Sequence, residues 1–123
     1  MATVTLTKDN FEDVVTNNEV VLIDFWASWC GPCRMFGPIF EKASERYPDF
    51  VFGKVDTEDQ QELAGSFGIM SIPTLMIIRD QITLFAQPGA LPEAALEDLI
   101  SQVKALDMDD VRRQIAEREQ APA

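Results

Sequence analysis

Trp29-Cys30-Gly31-Pro32-Cys33 holds both cysteines of the chain at a two-residue spacing. Two thiols so placed close a disulfide ring only where the backbone between them turns. Gly31-Pro32 supplies that turn, because glycine permits unusual φ while proline fixes φ near the helical value and suits a helix's first turn. The pattern predicts a helix that starts at Gly31 or Pro32 and runs on through Arg34, Met35 and Phe36, with Cys30 at its mouth. There the Cys30 thiol meets unpaired backbone N–H groups and the positive end of the helix dipole, both of which favour thiolate over thiol. Cys30 is the candidate nucleophile. Cys33, one turn further in, is expected to be the more buried of the two and to resolve a mixed disulfide by intramolecular attack.

Two other uses of such a pair are weaker. Structural zinc takes four ligands, and the chain has two cysteines and no histidine. A purely structural disulfide around so small a loop removes little unfolded-state entropy and adds little stability. A redox role fits best.

Upstream of the motif, Val20 to Trp26 reads as a strand that is apolar on both alternating faces except at Asp24, as expected of a strand covered on both sides. Asp24 shares its face with Val20, Leu22 and Trp26, so the strand carries a carboxyl into the core. Without a cation such a group prefers to be neutral, and its pKa rises toward the range where it exchanges protons near pH 7. It is the candidate proton acceptor for the second thiol; the alternative is a carboxylate at a frayed strand end facing water.

The rest of the chain alternates. Thr3 to Leu6 reads as a strand, and Thr7 as the cap of a helix over Lys8 to Thr16 with Phe11, Val14 and Val15 inward. The helix after the cysteines turns Met35, Phe36, Ile39, Phe40 and Ala43 inward, is bent by Pro38 and ends before Tyr47-Pro48. Phe50 to Val55 is a strand with Lys54 near its end, where the lysine is either a partner for Asp24 or a solvated strand-end residue. A helix over Glu58 to Ser66 follows. Ser71-Ile72-Pro73-Thr74 then leads into a strand over Leu75 to Ile78, paired through Arg79-Asp80-Gln81 with Ile82 to Ala86. A proline at that position belongs at a bend or beside a site, where a cis Ile72-Pro73 bond can occur. Pro92 opens a helix with Leu96, Leu99, Ile100 and Val103 on one face. Asp107 caps a last helix whose stripe is Met108, Val111 and Ile115, and Gln120 to Ala123 are expected to fall outside ordered structure. The order predicts an α/β fold, a central mixed sheet flanked by helices on both faces, with residues 1–106 as the domain and 107–123 as a helical extension.

The 123 residues, 46% hydrophobic, suit one domain with a real core. The formal charge of −11 argues against nucleic-acid backbones and anionic membrane as partners. No long apolar run or signal-peptide pattern is present, so a reducing cytoplasm is the expected address. There a cysteine pair is catalytic more often than structural.

Asp24-Phe25-Trp26-Ala27, Trp29-Cys30-Gly31-Pro32-Cys33, Pro38, Lys54-Val55-Asp56, Phe67-Gly68-Ile69, Ser71-Ile72-Pro73-Thr74-Leu75 and Gly89-Ala90 together resemble the thioredoxin family, in its order and at its spacing, over Thr3 to Ala105. The resemblance implies Cys30 as attacking thiol, Cys33 as resolving thiol, Asp24 as the buried carboxylate of proton transfer and Lys54 as the lysine that pairs with it. It implies Ile72-Pro73 as a cis-proline loop against the disulfide, with the Ile72 backbone available to a substrate strand. Trp29, Gly31, Pro32, Gly89 and Ala90 resemble the docking surface around the dithiol. The family's activity is reduction of protein disulfides by a monomer with no cofactor beyond its Cys30-Cys33 disulfide, re-reduced by an NADPH-dependent flavoprotein thioredoxin reductase. Two other readings stand beside it. An oxidase of the protein disulfide isomerase type is disfavoured by the Gly-Pro between the thiols. A scaffold or binding module would use the C-terminal helix as its contact. Two departures from the family are the hairpin turn, Asp80-Gln81 in place of a glycine, and the segment after Leu106.

Overall fold

A computed structural model describes residues 2–120. Its elements in chain order are β1 (Thr3–Thr5), α1 (Phe11–Asn17), β2 (Val20–Trp26), α2 (Gly31–Arg46), β3 (Val51–Asp56), α3 (Gln61–Ser66), β4 (Thr74–Arg79), β5 (Ile82–Pro88), α4 (Glu93–Ala105) and α5 (Met108–Gln120). The five strands form one mixed sheet in the order β1-β3-β2-β4-β5. β1, β3 and β2 run parallel, and β4 and β5 are antiparallel to their neighbours.

β2 lies at the centre of this sheet, and its alternation divides the core into two layers. Val20 and Leu22 pack with Phe52, Leu75 and Ile77 against Phe36, Phe40 and Ala43 of α2 and Leu96, Ile100 and Val103 of α4. Val21, Ile23 and Phe25 pack on the opposite face with Val55, Met76 and Ile78, covered from α1 by Phe11, Val14 and Val15 and from α3 by Leu63 and Ala64. Period-two alternation in a strand buried on both faces requires helices on both sides, and the chain supplies them. Asp24 has the parity of Val20 and Leu22, so it lies beneath α2.

Several boundaries differ from the sequence expectation, each for a local reason. α1 starts at Phe11 because the chain first makes a turn in which Asn10 Oδ1 accepts the Thr7 N–H at 2.8 Å. α3 starts at Gln61 because Asp56 Oδ1 accepts the N–H groups of Glu58 and Asp59, at 3.0 and 3.4 Å, and holds them in a turn. Met35, expected to face inward, is 71% exposed: it lies about 100° around the helix from Phe36, off the buried face. Asp80 and Gln81 both take positive φ, 53° and 66°, which is the two-residue turn whose twist suits a hairpin even without glycine. One irregularity in pairing, between Ile77 and Ile78, leaves Leu84 as an extra residue in β5 and allows adjacent Leu84 and Phe85 both to reach the α2/α4 core.

The C-terminal helix forms as expected, with Asp107 Oδ1 accepting the N–H groups of Asp109 and Asp110. Gln120, expected outside ordered structure, is its last residue; 121–123 lie outside the described residues. Met108 is buried, and Arg112 reaches back to Asp80 in the hairpin turn, 3.2 Å away. Arg79 joins the same corner, donating from Nη1 to the carbonyls of Val103 and Leu106 at the end of α4. Among the described residues no helix is long and apolar enough to cross a membrane.

Candidate active site

The site forms where β2 ends and α2 begins. Cys30 is the N-cap of α2, in extended conformation, and Gly31 and Pro32 are its first residues. Cys30 and Cys33 are joined in a disulfide with their Cα atoms 5.2 Å apart. The Cys33 N–H points at Cys30 Sγ, 3.2 Å away, so one of the orphan donors of the helix start is directed at that sulfur. The same donor stabilises a Cys30 thiolate once the disulfide opens, in addition to the helix dipole.

The expected difference in burial between the cysteines is absent. Both are nearly covered, at 4% and 5% exposure, because Ile72 and Trp26 close over the small cluster they form with Ala27. What separates them is what they face. Cys30 Sγ lies 3.6 Å from the Ile72 carbonyl oxygen, under the loop that precedes β4. Cys33 lines a cleft of about 320 Å³ with Trp26, Gly37, Pro38, Glu41 and Lys54.

Asp24 is fully buried, which excludes the frayed-end alternative. In the parallel register it stands directly opposite Lys54, whose Nζ is 3.8 Å from Asp24 Oδ2. At that distance the ammonium is an ion-pair partner without a hydrogen bond, and both carboxylate oxygens lack a donor. Burial pushes the Asp24 carboxyl up from 3.8 to about 6, against the pull of Lys54 and with a smaller push from Glu41. Lys54 is itself held over the Trp26 ring, 5.2 Å from its centroid. Of the two readings of Lys54, the structure selects the partner of Asp24.

The remaining expected residues surround the disulfide. The Ile72-Pro73 bond is cis, and the Pro73 carbonyl accepts the Gly89 N–H at 2.8 Å, which brings the Gly89-Ala90 bend beside the loop. Gly31, Pro32, Gly89 and Ala90 are exposed, Ile72 is half-buried and Pro73 is buried. Trp29 is 63% exposed, its indole N–H donating to Glu58 Oε1 at 2.6 Å. Trp26 entered the sequence reading only as part of a motif, and neither it nor Glu58 or Glu41 was given a place in the site. The loop position of Glu58 carries no periodic signal, but Cys33, Gly37 and Glu41 recur every four residues and so mark one stripe of α2.

The comparisons with known proteins agree with this geometry. The family model described as Thioredoxin matches residues 2–102. The chain belongs to the thioredoxin family. A Streptomyces coelicolor protein that bears a thioredoxin name is 67% identical over 118 residues, covering 96% of this chain and 88% of that one. The thioredoxin of Bacillus subtilis is 40% identical over 103 residues, covering 83% of this chain and 98% of its own length. Among solved structures, a single-residue mutant of a thioredoxin from Halobacterium salinarum superposes with a TM-score of 0.79 at 35% identity, covering 85% of this chain and 93% of that one. Membership in the thioredoxin family and the Cys30–Cys33 disulfide make the chain a thiol-disulfide oxidoreductase with protein-disulfide reductase activity. Since 118 of 123 residues align with the Streptomyces protein, most of α5 has a counterpart there.

Proposed function

We propose that Cys30 attacks the substrate disulfide and that Cys33 completes the exchange, with Asp24 as proton acceptor and Lys54 as its electrostatic partner. The observation that carries this reading is the N-cap position of Cys30, with the Cys33 N–H directed at its sulfur. A substrate disulfide docks over Trp29, Gly31, Pro32, Ile72, Pro73, Gly89 and Ala90. The Cys30 thiolate attacks one substrate sulfur; a Cys30–substrate bond forms, the substrate S–S bond breaks, and the first substrate thiolate leaves and takes up a proton. Cys33 then gives its proton to ionised Asp24 and attacks Cys30 Sγ. The intramolecular disulfide forms, the mixed disulfide breaks, and the second substrate sulfur leaves as a thiolate that takes up a proton, restored from Asp24. Two electrons pass to the substrate.

An acceptor with a pKa of about 6 suits this step, since it is mostly ionised at pH 7 yet basic enough to take a thiol proton for an instant. Re-reduction by an NADPH-dependent flavoprotein reductase, action in the cytoplasm as an electron carrier, and an active unit spanning residues 1–106 complete the proposal.

The test is insulin-disulfide reduction coupled to a thioredoxin reductase and NADPH. Cys30→Ser abolishes turnover, while Cys33→Ser permits one attack and accumulates a mixed disulfide visible by mass spectrometry. Turnover surviving in Cys30→Ser overturns the assignment.

A further inference from the structure

Along α2, Cys33, Gly37 and Glu41 recur at four-residue spacing and all three line the cleft that Lys54 also lines. Gly37 brings the helix backbone close to the ammonium: a Cβ built there would lie 3.7 Å from Lys54 Nζ. One turn further on is Glu41. Its Oε1 accepts a hydrogen bond from Thr3 Oγ1 of β1 at 2.7 Å, and its Oε2 is buried with no partner. A carboxylate on a helix would ordinarily turn to water; this one is pinned by the edge strand with one oxygen left inside the protein.

We propose that Glu41 is a positioning residue of the proton-transfer step, a second fixed carboxylate set in the same cleft as the Lys54 ammonium and acting on Asp24 through it. This rests on the reading of Asp24 as proton acceptor. Two carboxylates then share one cleft with a single, partly exposed cation, so ionising Asp24 beside Glu41 places like charges near one another, and Asp24 retains its proton more readily. The charged groups that face Asp24 are Lys54 from β3 and Glu41 from α2. On β4 the residue opposite Asp24 is apolar Leu75, and Arg34, also on the cleft, turns its guanidinium to the Ser28 carbonyl. Glu41 thus acts on the proton affinity of Asp24 without touching the sulfurs, and Thr3 acts by holding Glu41 in place.

The experiment follows the Asp24 carboxyl directly, by its carbon-13 chemical shift against pH, in the full-length oxidised protein and in Glu41→Gln. The expected result is a midpoint lowered by about half a pH unit or more, the direction given by removing a nearby like charge. Thr3→Val, which keeps the charge but frees the side chain, lowers it in the same direction by a smaller amount. A parallel pH profile of mixed-disulfide resolution follows the same shift in Glu41→Gln and loses that inflection in Asp24→Asn. An Asp24 midpoint unmoved in Glu41→Gln overturns the role of Glu41, even where Asp24→Asn still removes the inflection. An inflection that survives Asp24→Asn overturns instead the reading of Asp24 on which the role depends.

Discussion

Asp24 is costly to the fold. Its folded pKa of about 6 lies above the ordinary 3.8. The folded protein therefore binds a proton more tightly than the unfolded chain, and stability falls as pH rises through the window between those values. Below pH 3.8 the penalty is absent, and above about 6 it is fully present. At about 1.4 kcal/mol for each unit of pKa, the penalty is about 3 kcal/mol. Asp24→Asn is accordingly expected to stabilise the protein by about 2–3 kcal/mol at pH 7 and by little at pH 4, measured by urea unfolding at both values. A gain of equal size at both would show that charge burial is not the cause. The sequence made this residue legible because one acid interrupts an apolar run. Lys54 was only half legible: strand register, which pairs it with Asp24, cannot be read from either strand alone. Glu41 was not legible, since the hydrogen bond that fixes it comes from Thr3, 38 residues away on another element.

At the level of elements, β2 and α2 matched their expected positions most closely, because an apolar run interrupted only at Asp24 and a Gly-Pro helix start leave few alternatives. The shorter helices lost their first residues to side chains that hold the chain in turns, Asn10 for α1 and Asp56 for α3, a competition that apolar periodicity does not register. The approach of β3 to the chain after β1 also lay beyond periodicity. Gly53 faces Leu6, which is fully buried, and a Cβ added to Gly53 would come within 2.6 Å of Leu6 Cγ. Gly53→Ala is expected to cost about 1–3 kcal/mol by overpacking, read from the urea midpoint. Combined with Leu6→Ala it should lose clearly less than the sum of the two single losses. Strict additivity would mean that β3 shifts away from Leu6 freely.

For the whole molecule, the disulfide and the C-terminal helix occupy opposite ends of the sheet. Thr74, at one end of β4, is opposite Phe25 near the cysteines, while Asp80, past the other end, binds Arg112 of α5. α5 contributes one buried residue, Met108, worth about 2 kcal/mol, with Val111 and Ile115 half-buried on the same stripe, and its exposed ion pairs add little. Ending the chain at Leu106 should therefore lower Tm by about 5–10 °C and leave insulin reduction unchanged within about twofold. A loss of turnover beyond tenfold would place α5 in the reaction.

The length of β4, about 17 Å at the rise of an extended strand, is also a useful separation. The Asp109 side chain stands 92% exposed on the anchored first turn of α5. A short tether joined there to an electrode or a resin bead would attach the protein at the end of the sheet away from the disulfide, giving an immobilised reductant whose dithiol stays open to bulk solution.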